Sequence, residues 1–183
     1  MTRMVTIMLT VVLVGILCFG CMGRFFSEGM GAARGASGKL IEIRKTPDLS
    51  RYTGLRIDRI TVAQGLQAPA DMPSAIEKDL AATAEKRGLT PEGQPGLTLS
   101  GEIVHYEPSS TTDKAIGPLE EVVVRIKLID AQSGNLIAEA NLVGRSKAIS
   151  SSGTKNVSAG VAKAMNQWLK QGGLRNNGEK EED

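Results

Sequence analysis

Residues 119–143 read LEEVVVRIKLIDAQSGNLIAEANLV, and apolar residues recur at every second position on both sides of a short turn. The apolar series of the first half is Val122, Val124, Ile126 and Leu128. Arg125 and Lys127 lie between these residues and face the other way, as expected for a half-buried strand. A short loop containing Gly134 joins the two halves, which is typical of a β-hairpin. Residues 119–130 and 136–143 are therefore predicted to form an antiparallel strand pair.

Two segments outside this hairpin have helical periodicity. In residues 74–87, Ile76, Leu80 and Ala84 recur every fourth position, and Gly88 follows as a helix end. Residues 157–171 carry a longer stripe. Its members are Val157, Val161, Ala164, Met165, Trp168 and Leu169. Such a stripe predicts packing against a sheet, with a partner-binding helix as the alternative.

Two further strands complete the predicted fold. Residues 55–63 form a β-rich run whose apolar phase shifts between Ile57 and Ile60, which indicates a bulge or two-sided burial. Residues 97–106 alternate around Gly101. The element order β-α-β-β-β-α predicts one α+β domain over residues 51–171. We expect a mostly antiparallel four-stranded sheet with two helices packed on one face, the first two strands forming a parallel pair.

The N-terminus predicts export from the cytoplasm. Arg3 precedes an uncharged, mostly apolar run, and Gly20 stands directly before Cys21. A basic start, an apolar middle and a small residue before the cut are typical of a signal peptide. The arrangement resembles the lipobox of bacterial lipoproteins, in which the cysteine is lipidated and becomes the first residue of the mature chain. Cys18 fills the place of the usual aliphatic residue, so the cleavage site is not fixed by the pattern. An uncleaved membrane anchor and an ordinary signal peptide are the alternatives.

The predicted location follows from the same segment. Residues 1–20 are predicted as a lipoprotein signal peptide and 21–50 as a glycine-rich flexible linker anchored by acyl chains such as palmitate on Cys21. Met22 lacks the inner-membrane retention signal of bacterial lipoproteins, which favours the inner leaflet of the outer membrane, facing the periplasm. The alternative location is the inner membrane, held by an uncleaved helix. Residues 172–183 are predicted to be a disordered polar tail.

Composition and motifs give little support to nucleic-acid binding, metal binding or catalysis. The net charge of +2 lacks the basic excess of a nucleic-acid-binding protein. Both cysteines lie in the signal region, and His105 is the single histidine, so the sequence predicts no metal, cofactor or catalytic site. The serine-rich stretches at 109–112 and 150–152 lack a nucleophile motif. Glu120 and Glu121 are adjacent in a strand and should point to opposite faces, unlike a shared acid–base pair.

Four stretches together resemble an uncharacterised family of bacterial lipoproteins. They are DLSRYTGLRIDRITV (48–62), MPSAIEKDLAATAEKRGL (72–89), LTLSGEIVHYEP (97–108) and VVVRIKLIDAQSGNLIAEANLVG (122–144). The domain is also similar to the small domain of the curli-secretion lipoprotein and to the N-terminal domain of the Tol-system periplasmic protein. This resemblance implies an envelope-associated, non-catalytic domain that works by assembly or binding.

The sequence therefore predicts a non-enzymatic, periplasm-facing lipoprotein that binds a protein partner or forms a homo-oligomer at the outer membrane. Candidate contacts are the exposed sheet face, with Arg125 and Lys127, and the edge strands. The alternative is an auxiliary lipoprotein of a lipid or small-molecule envelope transporter, which would need an apolar groove for its ligand.

Overall fold

The hairpin predicted from residues 119–143 forms the centre of a five-stranded sheet. The computed structural model describes residues 35–109, 120–146 and 153–174. The strands are β1 (Ala36–Arg44), β2 (Gly54–Val62), β3 (Gly96–Glu107), β4 (Glu120–Asp130) and β5 (Leu136–Ser146). The helices are α1 (Met72–Lys86) and α2 (Thr154–Gln171). The strand order is β1-β5-β4-β3-β2; β2 runs parallel to β3, and every other pair is antiparallel.

The predicted α+β class and the helix pair on one face of the sheet are confirmed. The six residues of the predicted α2 stripe are all fully buried, so this stripe forms the core rather than a partner-binding surface. Ile76, Leu80 and Ala84 of α1 are buried as well. Between Ile57 and Ile60 the β2–β3 register shifts, which is the bulge that the apolar phase indicated. α2 begins at Thr154, three residues before the predicted stripe starts at Val157.

The sheet has one strand more than predicted. The prediction assigns residues 36–44 to the linker, whereas they form β1, which pairs with β5 from Ala36 opposite Ser146 onward. β1 also lies directly beneath α2. A Cβ atom added to Gly38 would come within 2.2 Å of the Gly160 carbonyl oxygen. The glycines that suggested a flexible spacer therefore include one that allows a helix and a strand to touch.

The predicted disordered tail also begins later than expected. Leu174 is buried, and its carbonyl oxygen accepts a hydrogen bond of 2.8 Å from the buried Arg87 guanidinium. The Leu49 amide donates to the Gly172 carbonyl oxygen at 2.7 Å. Residues 172–174 therefore belong to the folded domain. Residues 175–183 lie outside the described residues, so disorder there stays a prediction.

Asp130 organises the β4–β5 turn. One of its carboxylate oxygens accepts hydrogen bonds from the Gln132 amide and from the Ser133 amide and hydroxyl. The other accepts from the Tyr52 hydroxyl at 2.8 Å. These donors, chiefly the Ser133 amide, lower the pKa of the Asp130 carboxyl to about 2. The turn is thus stabilised by the ionised form of this side chain.

The lowered pKa of Asp130 predicts a loss of stability in acid. The folded-state pKa lies below the ordinary value of 3.8, so the contribution is complete above about pH 4 and disappears as the pH falls toward 2. We expect the difference in unfolding free energy between wild type and Asp130→Asn to shrink over this range in urea titrations at pH 2 to 6. A difference that does not change with pH would contradict the assignment.

Candidate functional site: the open face of the sheet

One face of the sheet carries the helices, and the opposite face, which we call the open face, presents mostly polar side chains. Strand register and alternation identify its residues. They are Lys39 and Ile41 on β1; Glu139, Asn141, Val143 and Arg145 on β5; Glu121, Val123, Arg125 and Lys127 on β4; and Thr98, Ser100, Glu102 and His105 on β3. The predicted contact residues Arg125 and Lys127 therefore lie on the central strand of this face.

Arg125 and Lys127 line a shallow depression of about 220 Å³ with Ser100, Glu102 and Glu139. Glu102 stands opposite Arg125, and Glu139 stands opposite Lys127, on the neighbouring strands. Nevertheless, among residues 35–109, 120–146 and 153–174, no carboxylate oxygen lies within 4 Å of either cation. Both basic side chains are exposed. The centre of the open face therefore holds charges of both signs that no described residue has paired.

Asn141 adds an unsatisfied polar atom next to Arg125. The two residues are opposite each other in the β4–β5 register. The Asn141 Oδ1 atom is enclosed and accepts no hydrogen bond from the part of the chain that the structure describes. An enclosed acceptor without a donor carries a desolvation cost of about 1 to 3 kcal/mol. A donor supplied from outside would remove that cost.

The edge of the sheet at β1 carries two exposed isoleucines among the exposed charged residues Lys39, Glu42 and Arg44. Ile41 is 42% exposed and Ile43 is 50% exposed, and these are the exposed large hydrophobic residues of the described ranges. The register of β1 against β5 shifts at Ile43, between Glu42 and Arg44. Such a bulge weakens a strand's ability to pair in register with another chain. The edge is therefore accessible but is not a regular template for strand addition.

A groove of about 850 Å³ follows the other edge, between β2 and α1. Ile57, Val62 and Pro73 contribute apolar surface to it. Its walls also carry the charged residues Asp58, Arg59, Glu77 and Lys78. A carboxylate oxygen of Glu77 on α1 accepts a hydrogen bond of 2.6 Å from the backbone amide of Ile60 on β2. The open, charged character of this groove differs from the apolar pocket that a lipid-binding role would require.

The remaining candidates for chemistry are engaged in structural contacts. Glu120 is buried and accepts hydrogen bonds from the Tyr106 hydroxyl and the Gly153 amide. Burial, and then the Glu120 carboxylate, raise the pKa of the Tyr106 hydroxyl above its ordinary value. Glu121 pairs with Arg145 on the open face, so the two glutamates do point to opposite faces.

His105 lies on the open face and its side chain is 48% exposed. Its Nε2 atom is 3.9 Å from a Glu107 carboxylate oxygen. Within the described residues, no group of three or more His, Cys, Asp or Glu side chains is placed to hold a metal ion. Ser109 is described, whereas the other serines and threonines of the two serine-rich stretches are not.

The anchoring prediction falls outside the described residues. Cys21 and the signal segment precede residue 35, so their roles stay predictions. Neither described helix is long and apolar enough to cross a bilayer.

No protein-family model matches the sequence, and no curated protein matches it. The fold is similar to that of PelC from Paraburkholderia phytofirmans, solved as a dodecamer. The TM-score is 0.53 with 19% sequence identity, covering 70% of this chain and 95% of that chain. A point variant of the same dodecamer gives the same values. A DUF330 protein from Xanthomonas campestris is 16% identical with a TM-score of 0.41, covering 72% of this chain and 89% of that chain. The likeness to PelC shows a shared fold.

Sequence reasoning found Arg125 and Lys127 but missed three features of the surface. The exposed Ile41 and Ile43 were hidden by their assignment to the linker, although the run LIEIR at 40–44 carries a β signal. The unpartnered Asn141 oxygen and the contact between Glu77 and Ile60 leave no signal in the sequence, because both depend on distances between strands and helices.

Proposed function

We propose that this chain is a non-enzymatic, periplasm-facing lipoprotein that assembles with further copies of itself at the outer membrane. The observation that carries the proposal is the open face, where Arg125, Lys127, Glu102 and Glu139 are unpaired within the described residues. Charges of both signs on one face suit a protein surface that presents complementary charges.

The comparison with PelC supports the assembly part of this proposal. That protein shares the fold over 95% of its own chain and was solved as a dodecamer. Buried and partly buried polar groups support the non-enzymatic part. Glu120, Tyr106 and Arg87 each bond to neighbouring elements of the domain, which is a structural use of residue types that catalysis often employs.

Native mass spectrometry of the detergent-extracted full-length protein tests the assembly. We expect stoichiometric homo-oligomers that persist when excess detergent and lipid are removed. A strictly monomeric protein at all concentrations would overturn the proposal. Stoichiometric co-purified lipid on a monomer would favour the transporter role instead.

The anchor is tested by Cys21→Ala. We expect wild-type protein to fractionate with membranes and the variant to be released into the periplasm, because the variant lacks the acylated thiol that inserts into the leaflet. Cys18→Ala is the matched control and should remain membrane-bound. If Cys21→Ala still fractionates with membranes, an uncleaved helix rather than a lipid holds the protein.

A further inference from the structure

The open-face residues of β4 and β5 form a series of complementary cross-strand pairs. The pairs are Lys127 with Glu139, Arg125 with Asn141, Val123 with Val143, and Glu121 with Arg145. We call each of these pairs a row. In the order given, the rows pair a cation with an anion, a cation with a carbonyl group, two apolar side chains, and an anion with a cation. Directly opposite side chains of these kinds attract one another.

Two adjacent polar rows remain incomplete among the described residues of one chain. Arg145 contacts Glu121 in a direct ion pair. Lys127 and Glu139, by contrast, are not within 4 Å of each other, and Asn141 Oδ1 has no donor among the described residues. The two rows that remain unsatisfied are adjacent and lie on the two central strands of the face. What they lack is a donor for Asn141 and close partners for Lys127 and Glu139.

We propose that the open face docks on the open face of a second copy, around a twofold axis that runs parallel to the strands between β4 and β5. This inference rests on the proposed function and specifies its contact surface. Such an axis places β4 of each copy over β5 of the other. Lys127 then faces Glu139 of the second copy, and Arg125 faces Asn141 of the second copy. Because a twofold interface uses the same patch twice, each contact occurs twice.

The axis is chosen by charge. An axis directly over β4 would bring Arg125 onto Arg125 and Lys127 onto Lys127, which is repulsive. The axis between β4 and β5 instead matches the three polar rows of these two strands, whereas Val143 is only 4% exposed and adds little contact. For this contact the Asn141 carboxamide must turn its oxygen toward the second copy, where the Arg125 guanidinium would donate to it. The same contact satisfies the acceptor that has no donor among the described residues of a single chain.

The available area is close to what a pair requires. Strands about 4.8 Å apart and residues about 3.4 Å apart give the fourteen residues of the open face a planar area of roughly 450 Å² per copy. Twice that area, roughly 900 Å², is near the roughly 1,000 Å² expected of a biological interface, which corresponds to a weak or transient contact. Two sheets packed face to face lie about 10 Å apart, which gives lysine and glutamate side chains room to meet between them.

A mixing experiment tests this geometry on the detergent-extracted full-length protein. Lys127→Glu places two acids in the first row of each copy, and Glu139→Lys places two bases there. Each variant alone should therefore dimerise at least about tenfold more weakly than wild type. An equimolar mixture should recover dimers that contain one copy of each variant, because the acid introduced at position 127 of one copy faces the base introduced at position 139 of the other. Native mass spectrometry identifies this heterodimer by its mass.

The controls separate the interface from folding and from general charge effects. Lys170→Glu reverses an exposed cation on α2, away from the open face, and should assemble as wild type does. Circular dichroism of each variant should match wild type, because the substituted side chains are at the surface. If the single variants dimerise as wild type does, or if mixing them yields no heterodimer, the open-face geometry is wrong, and the proposed function then requires assembly through another surface. If wild type is monomeric, both the open-face geometry and the proposed function are wrong.

Discussion

Trp168→Ala lowers the free energy of unfolding by about 3 to 5 kcal/mol, the usual cost of removing a buried large aromatic side chain. Trp168 is fully buried in α2, and its indole nitrogen donates a hydrogen bond to the Thr46 hydroxyl. The substitution therefore empties the centre of the helix–sheet layer and releases the segment after β1. Because Trp168 is the single tryptophan, unfolding is best followed by circular dichroism rather than by fluorescence.

Gln167→Ala provides the control for Trp168. Gln167 is the exposed neighbour on the same helix, and its truncation should change stability by no more than about 0.5 kcal/mol. Trp168→Phe keeps part of the volume and should lose less than Trp168→Ala. A loss below about 1 kcal/mol for Trp168→Ala would mean that the side chain is not in the core.

Gly160→Ala is expected to destabilise the domain by about 1 to 3 kcal/mol, because an added methyl group has no space. A Cβ atom at this position would lie 2.5 Å from the Ser37 carbonyl oxygen and 2.8 Å from Gly144 Cα. Both neighbours are backbone atoms of β1 and β5, so relief requires α2 to move away from the sheet.

The sign of the Gly160→Ala effect is informative. In a solvent-exposed helix, the same substitution stabilises by about 1 kcal/mol through helix propensity alone. Ala162→Gly, at a partly exposed position of α2, measures that propensity in the same helix and should cost about 1 kcal/mol. If urea unfolding shows that Gly160→Ala is stabilising, α2 does not contact β1 and β5 as closely as the structure indicates.

The elements that the sequence predicted are those whose periodicity lies within one segment. The alternation from Val122 to Leu128 and the stripe from Val157 to Leu169 each depend on neighbours a few residues away. β1 depends instead on pairing with β5, about 100 residues later, and on the close contact of Gly38 with α2. Its glycine and its charged residues are locally typical of a linker, so only the tertiary contacts identify it as a strand.

The candidate surface was predictable in part for the same reason. Alternation alone puts Arg125 and Lys127 on the face opposite Val124 and Ile126. That these cations have no carboxylate within 4 Å in the described part of the chain depends on side-chain positions. The lack of a hydrogen-bond donor for Asn141 Oδ1 among the described residues also depends on side-chain positions. The sequence could therefore point to the face, but not to the two rows whose side chains lack partners among the described residues.

The first strand of the domain has a mechanical consequence. Any pull on the chain before Gly35 enters the fold at Ala36, the first residue of β1 that pairs with β5. A force directed along β1 would load its ladder of hydrogen bonds with β5 simultaneously, because those bonds run across the strand axis. A force directed away from the sheet would break them one after another. The direction in which a tether draws on Ala36 would thus decide whether the domain resists tension or unravels from its edge.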